Sequence, residues 1–226
     1  MPSNEKPSEA LLDQIRYSTL LDHQPNMDDM FQVSFDYMKE NYPLINGLML
    51  EFGVFDGKSI NRIADHWPDR QIYGFDSFEG LPEDWDLGSK IYRKHTKWHL
   101  KGSLPEVRNN VHLIKGFFDV SLPIWWEEHR SAIAFLHVDC DLYSSTKTVF
   151  ETLNDEIHPG TIIRLDDLID FREFENYAGK GSDISKYTTW REHEWKGFME
   201  WISRYNRVVE PLYRGWFQWA VVKVVV

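Results

Sequence analysis

Four short stretches of the chain bring acids to the ends of apolar runs. "LEFGVFDGKS" places Glu51 ahead of Gly53, Gly57 and Ser59, and "IYGFD" ends in Asp76. "LHVDCD" ends in Asp139 and Asp141, and "TIIRLDD" in Asp166 and Asp167. Gly53 and Gly57 permit a tight turn and close backbone approach to a ligand. Ser59 then opens a helix whose free N–H groups suit a carboxylate. Glu51 repels a pyrophosphate but suits an ammonium, so this turn fits a ligand with an amino-acid end. An ordinary strand-to-helix turn is the competing reading.

Asp76 is able to accept both hydroxyl hydrogens of a ribose, although aspartates at such positions also cap loops. Taken with the Glu51 turn, it indicates an adenosyl cofactor, either S-adenosylmethionine or a nicotinamide dinucleotide. The G-x-x-x-G spacing departs from the G-x-G-x-x-G of dinucleotide folds. If Asp139, Asp166 and Asp167 converge, they repel one another unless one is protonated or a cation binds. All-oxygen ligands favour a hard ion such as Mg²⁺. The plainer alternative is that "LDD" starts a loop and Asp141 caps the helix of "LYSSTKTVF".

These residues need elements to hold them. Residues 8–41 read as helical, with apolar residues three and four apart. Strand-type runs follow at 48–53, 71–76, 111–116, 133–139 and 161–166, with helical spacing in "SINRIADHW" and "SSTKTVFETLNDEI". Strands alternating with helices predict a mainly parallel sheet covered on both faces. The tail "RVVEPLYRGWFQWAVVKVVV" breaks at Arg214-Gly215, which predicts an antiparallel hairpin. The expected fold is α/β: a Rossmann-like, doubly wound, mainly parallel seven-stranded sheet with an antiparallel C-terminal strand and an N-terminal helical extension. With no internal repeat or low-complexity linker, one domain is expected over 1–226, with 1–45 as the extension and 46–226 as the core.

Bulk properties narrow the function. In 226 residues, 42% hydrophobic and 15% aromatic content suffices for a buried core. A net charge of −11 disfavours binding to nucleic acid or to anionic membrane. The single cysteine, Cys140, fits a reducing interior, and "MPSNEKPSEA" lacks a signal-peptide pattern, so a cytoplasmic protein is expected. No apolar run approaches the roughly 20 residues that span a bilayer.

In order and spacing, "LEFGVFDGKSINRIA", "IYGFDSFEGLPEDW", "LHVDCDLYSST" and "HPGTIIRLDDL" resemble the macrocin O-methyltransferase (TylF-like) family of class I S-adenosylmethionine-dependent methyltransferases. The resemblance covers roughly residues 45–220, and "GFDSFEGLPE" is its specific block. It implies that Glu51, Gly53 and Ser59 surround the methionine portion of S-adenosylmethionine and that Asp76 holds the ribose. It also implies that Ser77 and Phe78 line the adenosine pocket and that Gly116, Phe117 and Asp119 lie near adenine. Core packing is the plainer role for Phe118. Mg²⁺ held by Asp139, Asp166 and Asp167 is implied too, with transfer to a hydroxyl of a sugar or glycosylated small molecule.

A bound cation lowers the pKa of such a hydroxyl, and vicinal hydroxyls can chelate the ion. Asp139 is the first choice for proton acceptor. His137, Asp141, Tyr143 and His193 are the others. The basic run "KIYRKHTKWHLKG" (90–102) is either a flap contacting an anionic substrate or a solvated loop. Trp216 and Trp219 either face a sugar or pack on the sheet, and Cys140 is structural. Arg164 is a charge in a strand expected to be buried, so it needs an exposed face or an acid. The N-terminal helices offer an apolar face for a homo-oligomer contact or a lid. The competing functions are a nicotinamide oxidoreductase, a sugar-nucleotide transferase and a non-catalytic cofactor-binding protein.

Overall fold

The computed structural model describes residues 7–20, 27–41, 46–88, 91–174, 187–215 and 218–226. Five strands form the parallel part of the main sheet or its continuation: β2 (Leu48–Phe52), β3 (Ile72–Asp76), β6 (Val111–Lys115), β7 (Ile133–Val138) and β8 (Ile162–Leu165). The hairpin of β9 (Val209–Arg214) and β10 (Ala220–Val224) closes it, with β10 antiparallel to β8. A two-residue strand, β1 (Thr19–Leu20), pairs with β9 at the edge, so the order is β1-β9-β10-β8-β7-β2-β3-β6. The seven longer strands are those expected from the sequence. The central strand β7 is buried along its whole length, as its run of apolar residues demands.

Each face has its own apolar layer. On one, α2 (Met27–Asn41) and α3 (Lys58–His66) pack Phe31, Phe35, Ile60 and Ile63 against Met49, Ile72 and Phe135. On the other lie α1 (Pro7–Arg16), α4 (Phe118–His129), α5 (Tyr143–Leu153) and α6 (Glu194–Tyr205). There Phe150 of α5 stacks on Trp201 of α6 with ring centres 4.7 Å apart, a contact worth about 0.5–1.5 kcal/mol beyond the area it buries.

Two departures from the sequence reading stand out. The helical extension is not continuous over 8–41: α1 stops at Arg16, where Arg214 Nε donates to the Arg16 carbonyl at 2.8 Å, and the chain turns into β1. Residues 21–26 lie outside the described residues. The structure also adds a separate hairpin, β4 (Trp85–Gly88) and β5 (Ile91–Arg93), after β3. No described helix is long and apolar enough to cross a membrane.

Gly74 on β3 sets how closely α3 approaches the sheet. A Cβ there would overlap Ile60 Cδ1 and Val54 Cγ2. Gly74→Val should therefore lower stability by about 1–3 kcal/mol through overpacking, read as a fall in the urea midpoint with an unchanged denaturant slope.

Candidate active site

The register of the sheet aligns one row of side chains across three parallel strands. Glu51 on β2 lies opposite His137 on β7, which lies opposite Arg164 on β8. All three are essentially fully buried, beneath α2 and α3. Ser59 Oγ, from the first turn of α3, donates to Glu51 Oε1 at 2.6 Å. Glu51 Oε2 lies 3.3 Å from His137 Nδ1 as an ion pair without hydrogen-bond alignment. His137 Nε2 is 3.3 Å from Asp166 Oδ1, and the same oxygen accepts from Arg164 at 2.6 Å. The Arg164 guanidinium is sandwiched between the rings of Phe31 (4.8 Å) and Trp219 (4.5 Å). Arg164 thus pairs with an acid, and Trp219 packs on the sheet. Trp216 lies outside the described residues.

Burial opposes the imidazolium, but the Asp166 and Glu51 carboxylates overcome it and push the His137 pKa up to about 9. Burial likewise opposes charge on Asp166, yet Arg164 and His137 hold it down to about 2. His137 is thus held between Glu51 and Asp166, both its ring nitrogens facing carboxylates, so it is engaged within the row.

A cavity of about 670 Å³ opens above the carboxyl ends of these strands, within the range typical of small-molecule sites. Gly53, Ser59, Asp76, Ser77, Phe117, Phe118 and Asp119 line one part of it, and Asp139, Asp141, Asp166 and Asp167 another. The expected residues fall into two classes. Glu51 is enclosed beneath the wall and reaches the cavity only through Ser59 and His137. Phe78 is fully buried in the α2–α3 layer, outside the lining; its contribution is its N–H, donated to Asp76 Oδ1 at 2.6 Å. Gly116 also lies behind the wall, bonding through its N–H to the Asp76 carbonyl. Phe118 packs edge-on against Phe52 while lining the cavity, so it serves both roles.

Asp76 organises the glycine turn, because Oδ2 accepts the Phe55 N–H at 2.8 Å. Burial raises its pKa, while the N–H donors of Phe55 and Phe78 counter the shift. Each carboxylate oxygen has a second lone pair left for a ligand hydroxyl. Gly53 is required for a reason the sequence did not disclose. At φ +97° it sits against the backbone of Asp139, and a Cβ there would overlap the Asp139 carbonyl oxygen. The close approach is between the two halves of the site rather than to a ligand.

The acids do not form one group of three. Asp139, Asp141 and Asp167 bring ligand oxygens within 4.8 Å of one another, and His137, Asp139 and Asp166 form a second group. Burial and then Asp139 push the Asp141 pKa up to about 7, and burial and then Asp166 raise Asp139 well above the carboxylate range. Behind them lies Glu194, a buried acid that sequence reasoning missed. Its Oε1 accepts the Asp167 N–H at 3.3 Å and its Oε2 has no partner. Burial, then Asp167, raises its pKa well above the usual carboxylate range. His193 and Tyr143 drop out as bases: His193 Nε2 contacts the Asp86 carbonyl at 2.9 Å and Tyr143 donates to Glu200.

The His137 shift has a testable sign. A pKa raised from 6.5 to about 9 gives stability that is whole below 6.5 and is lost as pH rises to about 9. In EDTA, urea midpoints should fall over that window, and His137→Gln should make the fall shallower.

The chain matches the model of the family described as macrocin-O-methyltransferase (TylF) over residues 25–180. A search of curated protein sequences gave no significant match. Among solved structures, CalS11, described as a calicheamicin methyltransferase, superposes with a TM-score of 0.57 at 17% identity, covering 98% of this chain and 94% of that one. The O-methyltransferase NovP gives 0.56 at 18% identity, covering 88% and 79%. MycE, from the mycinamycin biosynthetic pathway and solved with Mg, SAH and mycinamycin VI, gives 0.51 at 16% identity, covering 86% of this chain but 49% of that one. These likenesses establish the methyltransferase fold, and the family match, which extends over most of the chain, goes further: the chain belongs to the macrocin-O-methyltransferase (TylF) family.

Proposed function

We propose that this protein transfers a methyl group from S-adenosylmethionine to a hydroxyl of a sugar or glycosylated small molecule, with Mg²⁺ held by its acid cluster. The observation that carries the reading is one cavity walled on one side by the Asp76–glycine turn and on the other by the acids after β7 and β8. In this reading the chain works as one methyltransferase domain in the cytoplasm, residues 1–45 being an extension of the core at 46–226.

The residues fit both groups. The first turn of α3 presents free N–H groups and the positive end of its dipole to a carboxylate. Asp76 has acceptor capacity for ribose hydroxyls, Ser77 and Asp119 continue the wall, and Phe117 and Phe118 offer apolar faces for adenine. Glu51 acts from behind, holding Ser59 and His137 in place. The donor set for the ion is all carboxylate, as a hard cation requires: Asp139, Asp166 and Asp167 by family resemblance, with Asp141 beside Asp139 and Asp167.

When bound, the sulfonium supplies an activated methyl carbon and the divalent ion a charge that lowers the pKa of a hydroxyl oxygen. The protein must orient that oxygen, exclude water and receive its proton. Asp139 stands at the reacting centre as the acid common to both groups. Asp139 is also the first choice to take the proton, with Asp141 beside it in the same acid group as the second.

Calorimetric titration with S-adenosylhomocysteine and with NAD, each in Mg²⁺ and in EDTA, tests this. Binding of the first and not the second is expected, with Asp76→Ala weakening it about 10-fold or more, the loss of one charge-assisted contact set. Asp139→Asn should keep S-adenosylhomocysteine affinity within about 3-fold while cutting methyl transfer by about 10²-fold or more. Binding of NAD alone would replace the reading with the nicotinamide oxidoreductase.

A further inference from the structure

The basic run after β3 resolves into cations with different tasks. Lys94 and His95 both bind Asp84, Lys94 Nζ at 2.6 Å and His95 Nδ1 at 2.9 Å, so they anchor the β4–β5 hairpin on its outer side. Lys90 lies outside the described residues. Arg93 differs. Its Cα pairs with that of Trp85 across the hairpin, so both side chains share a face, and both line the cavity. Tyr92, on the opposite face, is 56% exposed to solvent.

Arg93 sits over the Trp98 ring at 5.8 Å, and Trp98 leans on Trp85 with ring centres 6.1 Å apart. Trp85 is fixed in turn by its Nε1–H to the Tyr187 hydroxyl at 3.3 Å. Arg93 lines the same cavity as Asp139, Asp141 and Asp167. An arginine serving to neutralise those acids would form an ion pair with one of them. Arg93 forms none among the described residues; it is exposed and lines the cavity, so its N–H donors are open to a ligand there.

Building on the methyltransferase reading, we propose that Arg93 determines acceptor specificity and that the acceptor is an anionic sugar. Its ring lies against Trp85 and Trp98, its reacting hydroxyl faces Asp139 and Asp141, and its phosphoryl or carboxylate group engages the Arg93 fork. Planar guanidinium groups match both oxyanions bidentately and stack on aromatic rings. Asp139, Asp141 and Asp167 line the cavity and the whole chain carries −11. Lys58, Arg164 and Arg172 also line it but are paired with Asp56, Asp166 and Asp170, which leaves Arg93 to offset that charge.

The test is titration of the full chain, with and without S-adenosylhomocysteine and Mg²⁺, using UDP-glucose, glucose 1-phosphate, glucuronate and methyl glucoside. At least one anionic sugar should bind about 10-fold or more tightly than the neutral glucoside, the pattern among the three assigning phosphoryl or carboxylate. Arg93→Met should erase the difference, Arg93→Lys should keep part of it, and neither should alter S-adenosylhomocysteine affinity. Equal binding of the neutral sugar, an anion preference that survives Arg93→Met, or no sugar binding by protein that binds S-adenosylhomocysteine would each overturn the proposal. Failure of S-adenosylhomocysteine alone would count against the methyltransferase reading, while an anion preference lost in Arg93→Met would still uphold the acceptor site.

Discussion

The site rests on a row of four ionisable side chains inside the sheet. Burying an isolated ion costs several kcal/mol, and a buried pair compensates only when geometry and further contacts are good. Here each charge has neighbours of opposite sign: Glu51 beside His137, and His137 and Arg164 both beside Asp166. Ser59 completes one end, while Phe31 and Trp219 sandwich the other. Because the members come from β2, β7, β8 and the loop after β8, removing one strands the others. The row therefore fixes three strands, α3 and α2 in one arrangement. It costs more than an apolar core of similar volume would, and what it secures is placement.

Placement matters because of what lies next to the row. Asp139 and Asp167 are partly buried and Asp141 and Glu194 buried, with no comparable set of cations, and all four have pKa values driven upward. Asp166 belongs to both systems. Its oxygen is committed to Arg164 and His137, which holds its pKa down while burial and mutual repulsion push those of its neighbours up. The contrast separates a structural carboxylate from carboxylates that have acceptor capacity for a divalent ion. Were a divalent ion held by Asp139, Asp141 and Asp167, whose pKa values are raised, it would bind them in competition with protons. Ion binding here should thus be linked to proton release, as for any site whose ligands must deprotonate.

How far the sequence disclosed this depended on the range of each interaction. The seven longer strands were legible because apolar runs of five or six residues bounded by glycine and acid carry their own signal. The Glu51 turn, Asp76 and the paired aspartates were legible because they stand next to each other along the chain. Side-chain direction was not. Period-2 alternation places Glu51 and His137 on the same face as Arg164, but only the register between β2, β7 and β8 shows that they meet. Phe78 sits in the most specific block of the chain, yet a φ of +56° turns its ring into the core. Glu194 gave no signal at all, being one glutamate among the acids and tryptophans of "TWREHEWKGFMEW". Its role exists only because α6 begins against the loop that bears Asp167.

The two halves of the cavity are built by different means. The donor half is made from strand ends and the first turn of α3, locked to the acids by backbone packing between Gly53 and Asp139. Nothing there can move without disturbing the core. The acceptor half is made largely from the β4–β5 hairpin, where Trp85, Leu87 and Arg93 face inward, and from Tyr187 before α6. The hairpin's ties are to loops: Thr188 N–H to the Leu87 carbonyl, Thr189 and His193 to the Asp86 carbonyl. Trp85 and Leu87 belong to the apolar core, whereas Arg93, beside Trp85 on the same face, is exposed, so Arg93 is the inward residue that can change at little cost to the sheet. In the proposed reading the strand ends and α3 hold the donor and the reacting geometry, and the acceptor is set by Arg93 on the hairpin rather than by the strands.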